Sequence, residues 1–211
     1  MPDIVQRTPE WFAARLGRLT ASKVADMMAT TKSGWSASRA NYAWELAIER
    51  LTGSPTPGFC NSAMQWGIDH EDEARAAYQV HALVTVEQVG FIKHPRLFAG
   101  ASPDGMIGSD GMLEIKCPNQ ATHGDTLLNG TIDGKYVKQM QFQLACSGRA
   151  WCDFASYDPR FPEPMRLWVQ RIHRDDALIA EIEACAEEFL AEVDQTVARL
   201  REQYAVELEA A

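Results

Sequence analysis

Apolar side chains recur at three- and four-residue steps over several stretches of this chain, and those stretches are punctuated as helices are. Thr8-Pro9-Glu10 pairs a hydroxyl N-cap with proline at the first helical position, predicting a helix to about residue 16 that Gly17 stops. Thr20-Ala21-Ser22 reads as a second cap before a helix ending near residue 28. A loop rich in Ser, Thr and Gly over residues 30–37 leads into a helix near 38–51. After a Pro/Gly turn at 54–58, a long helix is expected over 63–80.

The period then shortens. Residues 83–91 are rich in valine with a repeat near two, as in a strand. Short pieces at 97–101, 105–107 and 111–116, bounded by Gly, Pro and Asp, read as a strand meander. A helix over 135–147 is closed by Gly148, and strands follow at 150–156 and 165–172. From 175 to about 208, Leu178, Ile182, Cys185, Phe189, Val193, Val197, Leu200 and Tyr204 fall on one helical stripe. That helix should pack on the sheet or on a neighbouring subunit. The fold class is α/β (α+β): a mixed β-sheet flanked by helices, with a long C-terminal helix. A single domain is expected, with a helical part at 8–81, a sheet core at 82–173 and the last helix at 175–208.

Charge changes the picture in one respect. The 211 residues carry 20 basic and 29 acidic side chains, a net of −9, which argues against coating nucleic acid or anionic membrane by bulk charge. The excess is local: the last 42 residues carry a net of −7, whereas the first 50 carry +2. No apolar run reaches the ~18 residues of a membrane span. Met1-Pro2-Asp3-Ile4-Val5 lacks the basic-then-apolar pattern of a signal peptide, so a soluble, cytoplasmic protein is expected. The five cysteines form no CxxC pair and the five histidines no HxxxH, so any metal should be a hard cation held by carboxylates.

The chemistry concentrates in Ser102-Pro103-Asp104-Gly105 and Leu113-Glu114-Ile115-Lys116-Cys117-Pro118. Glu114 and Lys116 lie two apart on a strand and share a face, away from apolar Leu113 and Ile115 and turned to a cleft or solvent. With Asp104 on the preceding turn, and the Ile115 carbonyl as a further oxygen, they suit a divalent cation beside a positive charge. The cation would acidify water, which the lysine would orient or deprotonate. A surface ion pair is the plainer alternative. Tyr136, Gln139, Met140 and Gln143 share a helix face, which on its own reads as solvated.

Six segments in order make the resemblance specific. They are Arg15-Leu16-Gly17-Arg18-Leu19-Thr20-Ala21-Ser22, Trp66-Gly67 with Glu71, the two segments around Asp104 and Glu114, Tyr136-Val137-Lys138-Gln139-Met140-Gln141, and Tyr157-Asp158-Pro159-Arg160. Over about residues 7–175 the chain resembles the lambda exonuclease family, the YqaJ-like viral recombinases or alkaline exonucleases of the PD-(D/E)XK superfamily. The resemblance implies metal binding by Asp104, Glu114 and the Ile115 carbonyl, with Glu71 in support, Lys116 activating water and Gln139 placing it. It implies a 5′-phosphate site at Arg15, Ser22 and Ser102. Lys32 and Arg39 are expected near the DNA backbone, and Met64 lies near where relatives place an apolar wedge.

The implied cofactor is Mg²⁺, or Mn²⁺, with two ions per active site. The implied activity is 5′→3′ digestion of one strand of double-stranded DNA from its 5′-phosphorylated end, leaving a 3′ single-stranded tail. The implied partners are DNA ends, a single-strand annealing protein acting in recombination, and two further copies in a toroidal homotrimer. The alternatives are a related endonuclease or an inactive DNA-binding relative.

Overall fold

The computed structural model describes residues 5–57 and 61–204. Helix α1 (Pro9–Arg15) starts where Thr8 Oγ1 accepts from the Trp11 amide, and strand β1 (Leu19–Thr20) follows. The second expected helix divides into a 3-10 turn, Ala21–Lys23, and a short α2 (Val24–Met27); Thr20 makes no side-chain cap there. The expected loop holds a two-residue hairpin, β2 (Thr30–Thr31) and β3 (Gly34–Trp35). Helices α3 (Ala37–Thr52) and α4 (Ser62–Ala82) begin at Ser36 and Asn61, whose side chains each accept an amide hydrogen bond from the first turn.

Of the strand expected over 83–91 only two residues pair as a strand, and the next strand begins just beyond it in a different sheet. β4 (Val86–Glu87) belongs to one sheet and β5 (Ile92–Lys93) to another. The chain continues through β6 (Ala99–Ala101), β7 (Gly105–Ile107) and β8 (Gly111–Lys116). Two helices follow, α5 (Gln120–Asn129) and α6 (Gly134–Ser147), then β9 (Trp151–Tyr157), a 3-10 turn at Glu163–Met165, β10 (Leu167–His173) and α7 (Asp176–Tyr204). Helix α5 is absent from the sequence reading. It is capped by Asn119 and closed by left-handed Gly130, but buries only His123, so it carries no apolar stripe. Residues 205–208 of the expected last helix lie outside the described residues, as do Cys60 and residues 1–4.

The main sheet runs β10-β9-β8-β7-β4, antiparallel except for the parallel pair of β8 and β9. A smaller sheet runs β1-β6-β5. On one face of the main sheet Leu113 and Ile115 pack with Ala74 and Tyr78 of α4; on the other, Met112 packs with Met140 and Leu144 of α6. β8 is therefore covered on both sides, which the single-faced reading of 111–116 did not foresee. Helix α7 lies mainly against α3, α6 and α2, burying Ile182, Phe189 and Val193 beside Tyr42, Leu46 and Phe142, while its first turn adds Ile179 to the cluster that holds Met112 and Phe154 of the main sheet. Among the described residues no helix is long and apolar enough to cross a membrane.

Candidate active site

The hairpin of β7 and β8 pairs Gly105 with Leu113, which sets Asp104 beside the middle of β8. The Asp104 amide donates to the Leu113 carbonyl at 3.1 Å, and its Oδ2 accepts from the Ile115 amide at 2.6 Å. Gly105, the next residue, lets β7 pack closely beside β4, since a β-carbon there would stand 2.0 Å from Val86 Cγ1.

Glu114 projects from β8 under α6 and is 1% exposed. Helix periodicity places Gln139 and Gln143 one turn apart above it. Gln139 Nε2 donates to Glu114 Oε1 at 2.6 Å and Gln143 Nε2 to Oε2 at 2.7 Å. The glutamine face that the sequence alone read as solvated is thus engaged with the carboxylate. Lys116 Nζ pairs with Glu114 Oε1 and stands 5.1 Å from the centre of the Tyr136 ring.

Burial, then the Glu114 charge, pushes the Asp104 carboxyl well above the usual carboxylate range, with Lys116 opposing. Burial also opposes the Lys116 ammonium, but Glu114 and Asp104 outweigh it and hold the amine above its ordinary value. The Cys117 thiol is pushed up to about 12 by burial and by Glu71 and Asp104, so it stays a thiol.

The donors therefore fit a hard divalent cation. Asp104 and Glu114 would offer oxygen, with the Ile115 carbonyl as the expected third donor, and burial first, then the Glu114 charge, raises the Asp104 carboxyl. Among the described residues no group of three or more His, Cys, Asp or Glu side chains is gathered to hold a metal. Two carboxylates and a carbonyl, with the remaining positions left to water and phosphate, is the Mg²⁺ pattern.

Glu71 of α4 lines the same cleft of ≈ 760 Å³ as Asp104, Ile115, Lys116, Gln139 and Met64. Both its oxygens are taken by guanidiniums. Arg75 donates to Oε1 at 2.7 Å and Arg7 pairs with Oε2. Arg75 also donates from Nε to the Asp104 carbonyl at 3.2 Å, so Glu71 touches the Asp104 turn through Arg75.

Ser22 lines both this cleft and a second one of ≈ 420 Å³ formed by Trp11, Arg15, Lys23 and Tyr42. The Arg15 guanidinium lies 4.0 Å from the centre of the Trp11 ring, and Trp11 Nε1 donates to Ser102 Oγ at 2.8 Å. Of the three residues expected at a phosphate, Arg15 and Ser22 line this second cleft, and Ser102 reaches Arg15 only through Trp11. Trp11 was legible as the residue one helical turn before Arg15, and Arg75 as the residue one turn after Glu71.

Lys32 sits exposed at the tip of the β2–β3 hairpin. Arg39 is a correction. It is 2% exposed, paired with Glu192 of α7 at 2.7 Å and stacked between Trp35 and Phe189, so its charge serves the core and not a DNA backbone. Met64 is half exposed on the cleft.

The family described as the YqaJ-like viral recombinase domain matches residues 10–150. Among solved structures, the chain is 51% identical to LHK-Exo, an alkaline exonuclease from Laribacter hongkongensis. The match covers 94% of this chain and 98% of that one, with a TM-score of 0.88. LHK-Exo in complex with dAMP matches equally well. A phage-related exonuclease from Haemophilus somnus 129PT shares the fold at a TM-score of 0.72, with 16% identity over 87% of this chain and 96% of that one. No curated protein matches the chain. The ordered segments, the β7–β8 hairpin bearing Asp104, Glu114 and Lys116, and these matches agree, and the chain belongs to the YqaJ-like viral recombinase family, the lambda exonuclease family.

Proposed function

We propose that this protein is a Mg²⁺-dependent 5′→3′ exonuclease of double-stranded DNA that releases 5′-mononucleotides and leaves a 3′ single-stranded tail. The observation that carries the reading is the buried Glu114, whose two oxygens are oriented by Gln139 and Gln143 beside Asp104 and Lys116. The dAMP bound to a 51% identical relative is a mononucleotide, which supports that product class.

Asp104, Glu114 and the Ile115 carbonyl would hold the cation, Mg²⁺ or Mn²⁺ and two ions in the full site, with Glu71 joining once a guanidinium releases it. The cation would neutralise phosphate charge and acidify the attacking water. Gln139 keeps Glu114 aimed and presents its amide where that water must stand. With its carboxylate neighbours neutralised, the Lys116 ammonium would give up its proton to solvent, since those charges hold it protonated, and the free amine would then take the proton of the attacking water. Arg15, Ser22 and Ser102 bind the 5′-phosphate of the strand being digested, and this contact sets the polarity. Lys32, from its hairpin tip, meets the DNA backbone, and Met64 wedges between the strands. The tail produced is the substrate of a single-strand annealing protein, and a toroidal trimer would keep the enzyme on its DNA.

The test uses linear duplex DNA with one 5′-end phosphorylated and the other bearing a 5′-hydroxyl, in Mg²⁺ and in EDTA. The 5′-phosphorylated strand should shorten in Mg²⁺ alone, and Glu114→Ala and Lys116→Ala should leave it intact while still binding DNA ends. Cleavage of closed circular DNA would point instead to an endonuclease. Intact DNA under every condition would point to a binding relative.

A further inference from the structure

Arg7 stands on a backbone with φ of 68°, the left-handed region that a β-carbon disfavours. The residue before it is pinned. Gln6 Nε2 donates to the Val89 carbonyl at 2.8 Å and to the Pro103 carbonyl at 2.9 Å, and Pro103 directly precedes Asp104. The segment is thus strapped over the turn that carries Asp104, and the unusual backbone aims the Arg7 side chain into the catalytic cleft, which it lines.

There it meets Glu71, but not on equal terms with Arg75. The Arg75 side chain is buried and also holds Asp72 at 2.5 Å and the Asp104 carbonyl. Arg7 is 46% exposed, and among the described residues its ion pair is with Glu71 alone. If Glu71 is to offer an oxygen to a cation, Arg7 is the guanidinium that leaves. Arg7 then carries an unpaired positive charge at the wall of a cleft that admits a phosphate backbone.

We propose that Arg7 is a displaceable DNA-phosphate ligand, held on Glu71 in the cation-free protein and transferred to a backbone phosphate when Glu71 turns to the cation. The proposal rests on the nuclease reading above. It makes cation loading and DNA binding mutually reinforcing, because one event frees the partner of the other.

The test compares wild type, Arg7→Gln and Arg7→Lys, with Ca²⁺ as the probe cation. Calorimetric titration of Ca²⁺ without DNA should show Arg7→Gln binding about 3–10-fold more tightly, since Glu71 has lost its competitor. Anisotropy with a 5′-phosphorylated duplex in Ca²⁺ should show the same variant binding about 3–10-fold more weakly, with a salt slope reduced by about one. Arg7→Lys should recover most of the DNA affinity. Unchanged or weaker Ca²⁺ binding in Arg7→Gln, or unchanged DNA affinity and salt slope, would overturn the proposal while wild-type digestion of DNA left the nuclease reading intact. A wild type that neither binds nor digests duplex DNA would remove both.

Discussion

Gln143 donates to Glu114 at 2.7 Å where neither side chain reaches water, each being 1% exposed. Gln139, one turn earlier, makes the equivalent bond from the edge of the open cleft. Substitution should separate these two roles. Gln143→Leu removes a buried bond to a charged group and should cost about 2 kcal/mol. In a chain of this size that lowers Tm by about 4–8 °C. Gln139→Ala should lower kcat by about 10–100-fold with little change in Tm. Thermal melts and single-strand digestion rates on the two variants decide it.

Asp104 has a stability signature that can be read without DNA. Its carboxyl is raised in the folded protein by burial and by Glu114. The favourable protonated state is therefore fully present below the unfolded value of about 3.9 and is lost as pH rises through the raised folded value. In EDTA, Asp104→Asn should melt higher than wild type at pH 8, by about 2–4 °C, and equally below pH 4. An Mg²⁺ titration should reverse the order, because only the wild type gains from the cation.

The proposed phosphate pocket gives a prediction about the DNA end. Arg15→Ala should raise KM for 5′-phosphorylated ends about tenfold or more, equivalent to ~1.4 kcal/mol of lost binding. It should leave 5′-hydroxyl ends unaffected. Trp11→Phe keeps a ring beneath Arg15 but cannot donate to Ser102, so its effect should be smaller and in the same direction. Initial rates on matched phosphorylated and unphosphorylated duplexes measure both.

Much of this site was legible because its spacing is local. Asp104, Glu114 and Lys116 fall on one hairpin, where an alternation of two and a Gly-bounded turn nearly dictate their arrangement. The order of segments added Arg15, Ser22, Ser102 and Gln139. Less legible were relations that depend on what covers a surface. Glu114 and Gln143 are buried because α6 lies over β8, and Arg39 is buried because α7 returns across α3. The strand expected at 83–91 shortens to Val86–Glu87 because the chain beyond Glu87 crosses to the smaller sheet, where the Phe91 ring lies over Gly100. No periodicity in the segment itself reports that change of partner.

Gly105 offers a steric test of how Asp104 is held. Gly105→Ala places a β-carbon 2.0 Å from Val86 Cγ1, and the resulting overpacking should cost about 1–3 kcal/mol. It should also slow digestion, because β7 must move and Asp104 precedes it directly. Val86→Ala in the same chain should restore both stability and rate, and a double-mutant cycle should show strong coupling. Additive effects would mean that the turn is held by something other than this contact.

The apolar cluster that joins Leu19, Tyr42 and Leu46 to Ile182, Phe189 and Val193 has a consequence for the timing of synthesis. Helices α2 and α3 bury their faces against α7, which is made well after them. Until α7 arrives, Arg39 lacks Glu192 and Arg50 lacks Asp194. The floor beneath Ser22 is also unfinished, since Ala21 and Val24 belong to the same cluster. A nascent chain can assemble the β7–β8 hairpin early, yet the cleft that Arg15 and Ser22 line stays unsettled. The cluster beneath Ser22 is completed only once α7 has been made.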